Sequence, residues 1–81
     1  MEKTYKALRK VMAIHDMNSA DIGRRLMLTQ QSISNRMTGR SPWRIDEMYS
    51  LMELFGLPYD QLHIIFPPNG VATNIDGRGN V

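Results

Sequence analysis

The chain has 81 residues, 42% of them apolar, a net charge of +2 and no cysteine. That length supports one small domain, and the lack of cysteine excludes a disulfide framework or a thiolate metal site. No apolar run is long enough to span a bilayer, and charged residues recur through the first ten positions, unlike a secretory leader, so a cytoplasmic protein is expected.

Residues 4–15 are expected to form the first helix, capped by Thr4. Leu8, Val11 and Met12 share a stripe with Tyr5 near its start, and Lys3, Lys6, Arg9 and Lys10 lie mostly off it. Asp16-Met17-Asn18 breaks that pattern. Asn18 or Ser19 then caps a second helix over residues 19–27, where Asp21 suits both a capping box and the helix dipole. Ile22 and Leu26 are spaced for the core. Gly23 lowers helix propensity but permits a close approach by another helix.

Thr29 caps a third helix over residues 30–37, in which Ile33 and Met37 point inward together. Gly39 ends it, and Arg40-Ser41-Pro42 makes the following turn. The fourth helix, residues 45–55, carries a stripe of Ile45, Met48, Leu51 or Met52, and Phe55; Gly56-Leu57-Pro58 stops it. A last short helix over residues 59–64 offers Leu62, with either Ile65 or Phe66, to close the core before Pro67-Pro68. The expected fold is all-α, a compact bundle of five short helices in residues 1–66. Residues 67–81 are expected to form a flexible or dimer-associated tail, with a β-like segment at 71–75 as the alternative.

Only Met27 and Leu28 separate the second helix from the Thr29 cap of the third. That is too short for an antiparallel hairpin and right for a helix-turn-helix, which sets the third helix across its partner. The exposed side of that helix carries Gln30, Gln31 and Asn35, side chains suited to paired donor–acceptor contacts with base edges. Charge is distributed to match. Residues 18–44 hold five arginines (Arg24, Arg25, Arg36, Arg40, Arg44) against one acid, Asp21, a net of +4. Residues 45–76 hold five acids and no Lys or Arg. This split would let one half face phosphates while the other faces away; the alternative is that these charges only solubilise a small surface.

The stretch NSADIGRRLMLTQQSISNRMTG, from Asn18 to Gly39, resembles the helix-turn-helix of the lambda repressor and Cro class of regulators, especially their small phage members. The SNRMTGRSPW segment and FGLPYDQL further on strengthen the likeness, which covers residues 8–66. There are departures. Gly23 stands where a small residue, often Ala, is usual. Met27 stands where Gly is usual, so either a strained left-handed conformation or a locally different turn is expected there. The Arg36–Met37 order reverses the common apolar–polar order, so Met37 is expected as the anchor of a slightly rotated third helix.

The resemblance implies a Cro-like repressor binding a palindromic double-stranded DNA operator as a homodimer, without a cofactor or an evident small-molecule ligand. Base contacts are expected from Gln30 on an adenine edge, Gln31 on a guanine edge or a neighbouring step, Ser32 and Asn35. Phosphate contacts are expected from Asn18, Ser19, Thr29, Arg36, Arg40 and Arg44. Trp43 is expected to pack in the core or an interface, and residues 57–66 to supply the dimer surface. His15 is read as a surface residue at a helix end and His63 as a structural histidine. Neither has companions at metal-site spacing, and no nucleophile triad, phosphate loop or carboxylate pair can be assembled, so no enzyme is expected. Two other roles fit the same fold: a module that binds another regulator, and an accessory DNA-binding factor in recombination or restriction control.

Overall fold

Four of the five helices stop in the same way, and the stops explain their lengths. The computed structural model describes residues 4–70, which form α1 (Lys6–Ile14), α2 (Ser19–Leu26), α3 (Gln30–Met37), α4 (Ile45–Leu54) and α5 (Leu62–Ile65). Single 3-10 turns precede α5 at Tyr59–Gln61 and follow it at Pro68–Gly70, and the described residues contain no strand. Past the ends of α1 to α4 come Asp16, Met27, Gly39 and Gly56, all with positive φ. In each case the next amide reaches back five residues: Met17 to Met12 O, Leu28 to Gly23 O, Arg40 to Asn35 O and Leu57 to Met52 O, at 2.7–2.9 Å. This Schellman ending satisfies carbonyls that a helix terminus otherwise strands.

The starts differ. Asn18 and Asp21 form the expected reciprocal capping box on α2, and the Thr29 hydroxyl accepts from the Ser32 amide at α3. At α1 the expected Thr4 cap is replaced. Tyr5 takes the cap position in a left-handed conformation (φ 55°), and the Thr4 hydroxyl donates instead to Met37 O at the end of α3. Burial of the Tyr5 ring overrides local capping. It meets Trp43 and Phe66 edge-on, at centroid separations of 6.3 and 6.4 Å. These three rings close one end of a core built on Leu8, Ile22, Ile33, Leu51 and Met52.

Several sequence expectations shift. Leu51 and Met52 are both buried, as are both Ile65 and Phe66. Ile45, expected in the core stripe, is 57% exposed because it is the first residue of α4, while the buried positions lie further along the helix. His63 is exposed rather than structural, since the single turn of α5 turns Leu62 and Ile65 inward instead. The folded body also runs past residue 66. Pro67 and Gly70 are buried, and Gly70 O accepts from the Tyr5 amide at 2.7 Å. The tail expectation for residues 71–81, with its β-like alternative, lies outside the described residues. No described helix is long and apolar enough to cross a membrane.

Candidate nucleic-acid interface

The α2–α3 unit is held together by a backbone contact. A Cβ added to Gly23 would lie 2.6 Å from Leu28 O and 3.4 Å from Thr29 C and O. The close approach is therefore to the connection between the helices, not to a neighbouring helix as the sequence suggested. Glycine lets the turn fold flat against α2, and the price is a left-handed Met27 whose side chain is 91% exposed. With the turn fixed, Ile33 and Met37 bury at 0% and 3%, and α3 is oriented by those anchors.

The far end of α3 is clamped by tertiary contacts. Met37 O accepts from the Thr4 hydroxyl and from Arg9 Nη2 at 3.1 Å, and Arg9 Nε also donates to Thr4 O at 2.7 Å. A cation at the C-terminus of a helix is favoured by the exposed carbonyls and the helix dipole. No local sequence signal marks Thr4 or Arg9 for this role, because their partner lies 28 or more residues away.

Arg36 requires a correction. The expected phosphate contact turns inward: Nε and Nη2 donate to the two carboxylate oxygens of Glu47 at 2.9 and 3.1 Å, and Nη1 donates to Ser32 O at 3.2 Å. The two side chains keep only 14% and 9% of their surface. In a bidentate pair this buried the Glu47 carboxylate compensates the guanidinium charge, so Arg36 braces α3 against α4 with its charged head turned inward. Glu47 Oε1 also accepts the Arg44 amide at 3.0 Å, tying the start of α4 to the same carboxylate. The clue in the sequence was Glu47 at the third position of a helix, where it caps.

The other expected residues divide by what their polar atoms already do. Gln30 and Gln31 are exposed on the first turn of α3. Gln31 Nε2 donates to Asn35 Oδ1 at 3.1 Å, joining those two side chains along the outer face. The Thr29 hydroxyl donates to Ser32 Oγ and accepts the Ser32 amide, so Thr29 acts as a cap with no hydroxyl proton left for a phosphate. Ser32 keeps its own proton. Asn18 Oδ1 caps the Asp21 amide and the Asn18 amide donates to Asp21, leaving the Asn18 Nδ2 protons; Ser19 is half-buried beside them.

Among the described residues Arg25 and Arg40 are exposed cations without an ion pair. Arg24 pairs with Asp21, and Arg44 Nε lies 3.4 Å from Asp46, both on open surface where such pairs contribute little. Trp43 packs in the core as expected, 6% exposed, 5.3 Å from the Phe66 ring, and its indole N–H meets no acceptor. His15 is exposed with its ring 4.9 Å from Phe55. The described residues hold no group of three or more His, Asp or Glu side chains able to share a metal ion. The outer face of α3 therefore carries neutral amides and hydroxyls. Compared with protein-family models, with curated proteins and with solved structures, the chain finds no match.

Proposed function

We propose that this chain is a sequence-specific double-stranded DNA-binding regulator with a helix-turn-helix of the lambda repressor and Cro type. On this reading α3 lies in the major groove and α2 crosses the backbone. The observation that carries it is the outer face of α3. Gln30, Gln31 and Asn35 project from a helix whose inner face and far end are fully tied down. A rigid helix of uncharged hydrogen-bonding side chains suits base edges, and Arg25 and Arg40 suit the flanking phosphates. One copy offers little contact area, so two copies on a palindromic operator, with half-sites roughly 34 Å apart, are the working arrangement. Repression then follows from occupying a promoter.

The test is selection of bound sites from random duplex DNA, followed by titration of the winner against a scrambled duplex. Gln30→Ala should lower affinity for the selected site far more than for the scrambled one. Arg40→Ala should lower both. Equal losses on the two duplexes for Gln30→Ala would overturn the base-reading role.

A second reading, a module that binds another regulator, is favoured by one feature. Tyr49 and Tyr59 stand edge to face at 4.9 Å on the surface, 41% and 51% exposed. Weak DNA binding that is insensitive to salt would favour this role.

A further inference from the structure

Gln30 and Gln31 are adjacent and both exposed, but their carboxamides are not equivalent. Gln30 makes no side-chain hydrogen bond within the described residues. Gln31 commits one of its two Nε2 protons to Asn35 Oδ1 at 3.1 Å. Asn35 is the better anchored partner. It is half-buried, and its backbone carbonyl accepts from the amides of Arg40 and Ser41 at 2.9 and 3.2 Å and from the Thr38 hydroxyl. The pair therefore fixes which way the Gln31 amide faces.

This changes what Gln31 can offer a base. A free glutamine supplies two donors and one acceptor group. With one proton held by Asn35, Gln31 presents one donor and one acceptor. The major-groove edge of adenine, an N6 donor beside an N7 acceptor, matches that set; the edge of guanine, with acceptors at O6 and N7, requires two donors. Resting on the DNA-binding reading above, we infer that Asn35 is a positioning residue that makes Gln31 select adenine over guanine. The two protons on Asn35 Nδ2 remain available for an acceptor on the neighbouring base, O4 of thymine or O6 or N7 of guanine. The guanine target that the sequence left open for Gln31 is thereby disfavoured.

The experiment uses the full chain and the duplex recovered by selection. The step at which Gln31→Ala loses its base preference identifies the base that Gln31 reads. Duplexes carrying adenine, guanine or 7-deazaadenine at that step are then titrated with the native chain, Asn35→Ala and Asn35→Asp. The native chain should prefer adenine to guanine by about tenfold and lose most of that advantage with 7-deazaadenine, which lacks the N7 acceptor. Asn35→Ala frees the second Gln31 proton, and the adenine-to-guanine ratio should fall to within about threefold of unity. Asn35→Asp retains an acceptor for Gln31 and should restore the ratio, even though its negative charge weakens binding to every duplex. A merely structural role for Asn35 would lower affinity on all duplexes and leave the ratio unmoved. A ratio unchanged in Asn35→Ala, or one that Asn35→Asp fails to restore, overturns the inference while leaving base reading by Gln31 intact. Failure to select any duplex above random overturns the DNA-binding reading and the inference with it.

Discussion

Replacing Glu47 with alanine should cost this fold far more than losing a surface charge. Glu47 is 8% exposed, and its carboxylate accepts three hydrogen bonds, two from Arg36 and one from the Arg44 amide. Glu47→Ala leaves Arg36, whose side chain is only 14% exposed in the native pair, with no counter-charge. Breaking one side of a buried pair costs about 3 kcal/mol, and the lost cap on α4 adds about 1 kcal/mol. A chain of this size has a total stability of about 4–12 kcal/mol, so the loss is a large share of it. In urea the midpoint should fall by about 3 M with an unchanged slope, and the melting temperature by about 15–30 °C.

The informative control removes both charges. Arg36→Met with Glu47→Leu fills the same space with apolar atoms and leaves no buried ion behind. It should lie within about 1–2 kcal/mol of the native chain, less destabilised than Glu47→Ala alone. A cost below about 1 kcal/mol for Glu47→Ala, with additive single and double variants, would refute the reasoning and return Arg36 to the surface.

Three further outcomes follow from the backbone and two tyrosine phenols. Gly23→Ala should destabilise by about 1–2 kcal/mol in urea unfolding despite alanine's better helix propensity, because the new Cβ meets Leu28 O at 2.6 Å; a gain in stability would show that the turn gives way. Met27→Gly should stabilise by about 0.5–1 kcal/mol, since it relieves a left-handed residue whose side chain is 91% exposed; a loss would mean the Met27 side chain makes contacts not evident in the fold. Burial raises the Tyr5 pKa, and the hydrogen bond to Glu53, with that carboxylate's charge, raises that of Tyr59. Both shifts favour the neutral phenol in the folded state, so their stabilisation is complete below about pH 10 and lost as pH rises beyond it. Urea midpoints should fall in that alkaline range, and Tyr5→Phe should flatten the fall; an equally steep fall in the variant would exclude Tyr5 as its source.

What the sequence disclosed and what it hid separate along a physical line. The boundaries of α2 and α3 were legible because the signals that set them are local: Asn18 with Asp21, Thr29 with Ser32, and Gly39 past the last turn. The anchors Ile33 and Met37 follow from helical spacing alone. Arg36 was misread because the acid that turns it inward lies eleven residues on, in another helix. Tyr5 displaced Thr4 as a cap because its ring joins Trp43 and Phe66, a contact that no local rule contains. Ile45 is in helical phase with the fully buried Met52 and is nonetheless exposed, since phase does not say where along a helix its neighbours end. The exposure of Gln30 and Gln31 at the start of α3 was legible from helical spacing; the hydrogen bond that makes Gln31 differ from Gln30 was not.

The inward turn of Arg36 also fixes how strongly salt should act on the proposed interface. Of the five arginines in residues 18–44, Arg25 and Arg40 are exposed without an ion pair, and Arg24 and Arg44 sit in exposed pairs that a phosphate can displace. Residues 18–44 of each copy therefore offer between two and four cations to set against phosphates, and two copies between four and eight. Since each neutralised phosphate contributes about −0.9 to the slope of log affinity against log salt, a dimer on its operator should give about −4 to −7 and a single copy about −2 to −4. Titrating the selected duplex across a range of potassium chloride concentrations measures that slope, and sedimentation of the same complex counts the copies. Arg40→Ala should flatten the dimer slope by about 2, one unit from each half-site. The Arg36→Met with Glu47→Leu variant, which keeps all four outward arginines, should leave it where it was. A slope that flattens with the loss of Arg36 would mean that this guanidinium leaves Glu47 to meet the backbone, and that its internal pairing holds only in the absence of DNA.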